Sequence, residues 1–150
     1  MALDWLKNRF EEARDAVTKE VAKFKSKTFM EAAVAGCVMV AHADGAVSAQ
    51  EKQKMMGFIR SSDALKVFDT DEVIAVFNKF SANYEFDPAI GEANALQVIV
   101  RLKGKDAEAR LLVRVCCVIG GADGTFDEKE KTVVRRICNE LGLKAGDFDL

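Results

Sequence analysis

The stretch AHADGAVSAQEK, residues 41–52, and the stretch GADGTFDEKEK, residues 121–131, describe the same corner twice. Ala-Asp-Gly recurs 79 positions on, from Asp44 to Asp123, and Glu-Lys follows at the same distance, as Glu51-Lys52 and Glu130-Lys131. Gly readily takes the left-handed conformation that ends a helix. Ser48 and Asp127, each three residues before a Glu, have the layout of a capping box that starts one. Each copy therefore reads as helix, tight turn, helix.

The likeness extends outward on the same offset. Val34 aligns with Val113, Cys37 with Cys116, Val40 with Ile119, Val47 with Phe126, Met55 with Val134 and Phe58 with Ile137. An ungapped match of this length predicts an internally duplicated helix-turn-helix unit, with copies at about 27–61 and 106–142 around a pseudo-twofold axis.

The rest of the chain is also helical in pattern. Leu3, Leu6, Phe10, Ala13, Val17, Val21 and Phe24 recur at spacings of three and four, which predicts an N-terminal amphipathic helix within residues 1–26. Trp5 lies off that stripe, as a handle for a partner or membrane surface or as packing for a neighbouring helix. A second helix over 27–42 is apolar nearly all round and should be central. Ser48 opens a third, to about Ser61, and Asp63 a short turn through Leu65 and Phe68. Thr70, backed by Asp71 and Glu72, opens another to about Tyr84. Asp87-Pro88 starts the next, with Pro where its missing N–H is harmless, running to about Lys103. Asp106 is read as the cap of a helix ending at Gly120-Gly121, and Asp127 as the start of the last, to Leu141-Gly142. No stretch alternates as a strand would. The expectation is an all-α, compact domain of about seven helices, in which residues 27–150 share a single core.

Composition agrees. A chain of 150 residues, 49% hydrophobic, with one Pro and ten Gly, has enough apolar surface for one core and few helix breakers. A net charge of −2 and a pI near 5.5 argue against a nucleic-acid binder that neutralises phosphates. Between residues 69 and 92 stand Asp69, Asp71, Glu72, Glu85, Asp87 and Glu92 against Lys79 alone. That stretch is either a solvated helix surface or an acidic face for cations or a basic partner. The longest apolar runs, 32–43 and 111–122, are too short to span a bilayer or carry Arg114, and the N-terminus lacks the apolar core of a signal peptide. Cys37, Cys116, Cys117 and Cys138 sit at apolar helical positions without a Cys-x-x-Cys spacing, which predicts buried, reduced thiols rather than a zinc site.

The repeated turns admit two chemistries. In one, every Asp, Ser and Glu is a capping or turn residue. In the other, carboxylates of Asp123, Asp127, Glu128 and Glu130, with Asp44 and Glu51 in the first copy, hold a hard divalent ion such as calcium or magnesium in preference to zinc. The pattern is not an EF-hand: counted from Asp123, position 6 is Glu128 instead of Gly, and position 12 is Val134 instead of Glu. No phosphate-cradling Gly-rich loop and no nucleophile with an adjacent base is evident. His42, the single histidine, falls at a helix C-terminus, where the dipole favours a cation. These features predict no enzyme and no organic cofactor. The alternative is an enzyme that uses the four thiols to reduce an oxyanion, or the carboxylates for metal-assisted hydrolysis.

The run EKQKMMGFIRSSDALKVFDTDEVIAVFNKF, residues 51–80, with both ADG motifs and the ending ADGTFDEKEKTVVRRICNELGL, closely resembles the TerB tellurite-resistance proteins. The resemblance spans nearly the whole chain. It implies a bacterial cytoplasmic, all-helical, internally duplicated stress-response domain that works with other tellurite-resistance proteins, including a TerC-type membrane protein that would recruit it to the inner face of the membrane. It also implies metal binding at Asp44 and Glu51 and at Asp123 and Glu130. His42 departs from the repeat, since its counterpart is Gly121. A monomer and a weak dimer both fit one buried and one polar helix face.

Overall fold

The computed structural model describes residues 26–43, 68–120 and 126–150, together with Glu12, Gln53, Met56 and Gly57. The protein is all-α, and among the described residues there is no strand. Five α-helices are seen: α1 (Lys27–Ala41), α2 (Thr70–Phe86), α3 (Pro88–Ile99), α4 (Asp106–Gly120) and α5 (Glu128–Leu141). Short 3₁₀ turns follow α3, at Val100–Leu102, and α5, at Ala145–Phe148. The helices predicted over 2–25 and 48–61, and the turn opened by Asp63, lie outside the described residues, apart from Glu12, Gln53, Met56 and Gly57, which are helical.

Helix α1 forms the centre. Ser26 caps it by accepting from the Phe29 N–H at 3.1 Å. From Phe29 to Val40 every residue except Glu31 is buried, so the helix has no solvent face of its own and packs against all four others. Glu31 reaches out to Arg101 at 3.5 Å, tying the 3₁₀ turn to α1. The aligned residues Val34 and Val113, and Cys37 and Cys116, are all fully buried.

The other helices begin where side-chain acceptors meet orphan N–H groups. Helix α2 opens at Thr70 as expected, and Asp69 caps it, accepting from Asp71 and Glu72 N–H at 2.9 and 3.1 Å. That helix continues past Tyr84 to Phe86 and stops at Asp87, which the following Pro holds in an extended conformation. Asp87 then caps α3 through Ala89 N–H at 2.8 Å. The apolar stripe of α2 is Val73, Phe77, Phe80 and Tyr84, and that of α3 is Ala95, Val98 and Ile99. Asp106 is a correction: it is the first residue of α4 rather than its cap, and its carboxylate pairs with Arg110 one turn on, at 3.2 Å. Helix α5 closes on Gly142 at φ 74°, with Leu143 N–H donating to Cys138 O at 2.9 Å.

Candidate functional site

Helices α1, α3 and α5 and the last turns of α2 meet around a cleft of about 380 Å³. Its apolar wall is Met39, Pro88, Ala89 and Val133; its polar groups are His42, Tyr84, Glu92, Thr132 and Arg136. His42 is placed by the end of α1. It is the C-cap residue, and its Nδ1 donates to the Val38 carbonyl at 2.9 Å, which makes Nε2 an acceptor in the neutral ring. The imidazole stacks on Tyr84 with centroids 4.5 Å apart and planes 18° apart. Tyr84 is also closely approached by Gly91, where a Cβ would fall 2.6 Å from the ring and 2.7 Å from the Tyr84 Cα.

Glu92 and Arg136 form an ion pair that bridges α3 and α5. The guanidinium is 59% exposed and the carboxylate 29%. The Glu92 Oε1 in contact with Arg136 is shielded from water and accepts no aligned hydrogen bond. Burial, reinforced by the negative charge of Glu92 and opposed by Arg136, raises the Tyr84 phenol above its ordinary range and keeps it a neutral donor.

Asp127, Glu128 and Glu130, predicted to ligate metal, are not among the residues that line this cleft. Asp44, Glu51 and Asp123 lie outside the described residues. Asp127 and Glu130 form the capping box expected of them: Glu130 N–H donates to Asp127 Oδ1 at 2.8 Å and Asp127 N–H to Glu130 Oε1 at 3.3 Å. Glu128 pairs with Lys131 at 3.8 Å and Arg135 at 3.5 Å. Among the described residues no three His, Cys, Asp or Glu side chains are arranged to hold an ion. Asp127, Glu128 and Glu130 as they stand serve the start of α5.

The thiols are free, with Cys37, Cys116 and Cys138 buried and Cys117 half-buried. Burial pushes Cys37 and Cys117 up to about 12 and Cys138 to about 11, and raises Cys116 well above the ordinary value, with the neighbouring sulfurs adding to it. Such thiols are poor nucleophiles. The acidic stretch is largely on the surface: Asp69, Asp71, Glu72 and Glu85 are exposed, and Asp87 is half-buried. Phe86, 82% exposed, and Ile90 stand beside Asp87 at the α2–α3 corner. No helix among the described residues is long and apolar enough to cross a membrane.

The profile of the family described as "Tellurite resistance protein TerB" matches residues 30–150, which takes in α2 to α5, α1 from Met30 on and every residue of the cleft. The chain belongs to the TerB family. A "Tellurium resistance protein TerB" from Alcaligenes sp is 44% identical over 112 residues, covering 75% of this chain and 92% of that protein. No solved structure matches this TerB-family chain. The cleft was missed in the sequence because its polar residues come from four separate helices. One signal was available: Gly91 interrupts a helical pattern where no turn is needed, which marks a close approach.

Proposed function

We propose that this TerB-family protein acts in tellurite resistance as a non-enzymatic interaction module. Its acidic α2–α3 corner receives a partner that presents Lys or Arg around an apolar residue. The observation that carries this reading is Phe86, 82% exposed beside Asp87 and Ile90 and next to Glu85. An exposed aromatic rimmed by carboxylates has the composition of an interaction site, with an apolar anchor and a charged rim that steers encounter. The buried, raised thiols speak against the reductase alternative. Other tellurite-resistance proteins, a TerC-type membrane protein among them, are the partners that the family resemblance implies, and they would bring this chain to the inner face of the membrane.

A hard divalent ion, calcium or magnesium before zinc, belongs to the same reading and rests on Asp44 and Glu51 in the first turn and on Asp123, Asp127, Glu128 and Glu130 in the second. Calorimetry on metal-stripped protein and on Asp123→Asn tests it: saturable binding lost in the variant supports the ion, and absence of heat removes it.

Docking is tested by capture from cells with the wild type, Phe86→Ser and Asp87→Lys. Other tellurite-resistance components should be recovered by the wild type in a salt-sensitive manner and lost in both variants. Recovery of none of them, or equal recovery by the variants, overturns the docking reading.

A further inference from the structure

The cleft between α1, α3 and α5 is not explained by docking at the α2–α3 corner. At about 380 Å³ it falls within the range of small-molecule sites and is mostly apolar with a few convergent polar groups. Its construction is rigid. Tyr84 is stacked on the His42 imidazole and closely approached by Gly91, so that wall is formed before anything binds.

The charges decide what it can take. Glu92 contributes one negative charge and Arg136 one positive, so the pair is neutral and a multiply charged anion meets a carboxylate as soon as it meets the guanidinium. The described side chains provide no cluster for a metal ion. A wholly apolar ligand would cover the Glu92–Arg136 ion pair without offering either charge a further partner. An ammonium group supplies three donors to the rest of the Glu92 carboxylate, whose side chain is 29% exposed, with the His42 Nε2 as a second acceptor. The half-exposed Arg136 fork matches a carboxylate bidentately. Met39, Pro88 and Val133 are left to receive an apolar body.

We propose that this cleft binds a small zwitterion with an apolar side chain, the chemistry of a free aliphatic or aromatic amino acid. The ammonium lies on Glu92, the carboxylate on Arg136, and the side chain against Met39 and Val133. Glu92 and Arg136, which carry this proposal, are not residues of the docking surface, so either proposal can fail without the other.

The test is titration of the full-length, isotope-labelled protein with leucine, methionine and phenylalanine, followed by nuclear magnetic resonance. N-acetyl-leucine and leucinamide serve as the charge-blocked probes. Saturable shifts at His42, Tyr84 and Thr132 are expected, with each blocked probe, and each of Glu92→Gln and Arg136→Gln, weaker by about tenfold or more through loss of a charged hydrogen bond. The blocked probes keep the proposal testable should a variant fold poorly. No saturable shift with any amino acid overturns it, as does equal binding of the blocked probes or wild-type affinity in both variants.

Discussion

The imidazole of His42 lies stacked on the phenol ring of Tyr84, centroids 4.5 Å apart. This contact joins the C-terminus of the central helix α1 to the last turns of α2. Tyr84 has little room, because Gly91 of α3 also sits against its Cα and ring. The α1–α2–α3 corner is thus set by one ring held by two neighbours.

Gly91→Ala is therefore expected to destabilise, although Ala is normally better than Gly in a helix by about 1 kcal/mol. The added Cβ would sit 2.7 Å from the Tyr84 Cα, and backbone cannot yield as a side-chain tip can. Helices α2 and α3 must separate, at a cost of about 1–3 kcal/mol for overpacking. Urea unfolding should show a lower midpoint with an unchanged slope. A midpoint at or above wild type would mean that Tyr84 is not held in this way.

Gly36→Ala makes the same point in the core with a softer neighbour. The new Cβ would meet Cys116 Sγ at 2.6 Å, across the α1–α4 contact. We expect a loss of about 1–3 kcal/mol in the single variant. Much of it should be recovered in Gly36→Ala with Cys116→Ala, where the methyl occupies space left by the sulfur. A double-mutant cycle measures the coupling, and strict additivity would contradict direct contact between the two helices here.

The fold was legible in the sequence wherever local chemistry decides it. Asp87-Pro88, the Asp127-to-Glu130 box and Leu141-Gly142 act within one turn of chain, and each marks a helix boundary in the structure. Asp106 was misjudged because a carboxylate at a helix start serves equally as a cap and as a first-turn partner for a base four residues on, and Arg110 decides for the second. The terminal 3₁₀ turn had no periodicity to announce it; Arg110 holds it from α4 through Asp147 at 3.1 Å and over the Phe148 ring. The cleft was illegible for a different reason. Glu92 and Arg136 meet only because α3 and α5 approach each other, and no spacing along one helix encodes that.

Stability should fall on the alkaline side through the buried thiols. The folded state raises Cys37 from an ordinary value of 9.0 to about 12 and raises Cys116 well above its ordinary value. A group that holds its proton more tightly when folded contributes fully below its unfolded value. Above about pH 9 the unfolded chain binds fewer protons than the native one, so unfolding becomes easier with rising pH. The slope approaches about 1 kcal/mol per pH unit for each such thiol. Unfolding in reductant between pH 7 and 10.5 should show the decline, and Cys37→Ala should show less of it. An alkaline slope equal to wild type in that variant would show that Cys37 does not titrate on unfolding.

The turn at 123–131 can be tested for which of its chemistries Asp127 serves. Its Oδ1 accepts the Glu130 N–H at 2.8 Å while Glu130 returns the bond, so both carboxylates already have work within the helix start. Asp127→Ala should cost about 1 kcal/mol, the usual loss of a cap, whereas Asp127→Asn keeps an acceptor and should lose only a fraction of that. A cap works without an ion. The Ala-variant loss should therefore be the same in chelator and in millimolar calcium or magnesium, read as the shift in thermal midpoint. A loss that appears only with the ion present would reassign Asp127 from capping to coordination, because an ion bound to the folded state adds stability only while its ligands are intact. With Asp123→Asn measured alongside, the pair separates a turn whose Asp residues share one ion from a turn in which Asp127 starts the helix and any ion relies on Asp123.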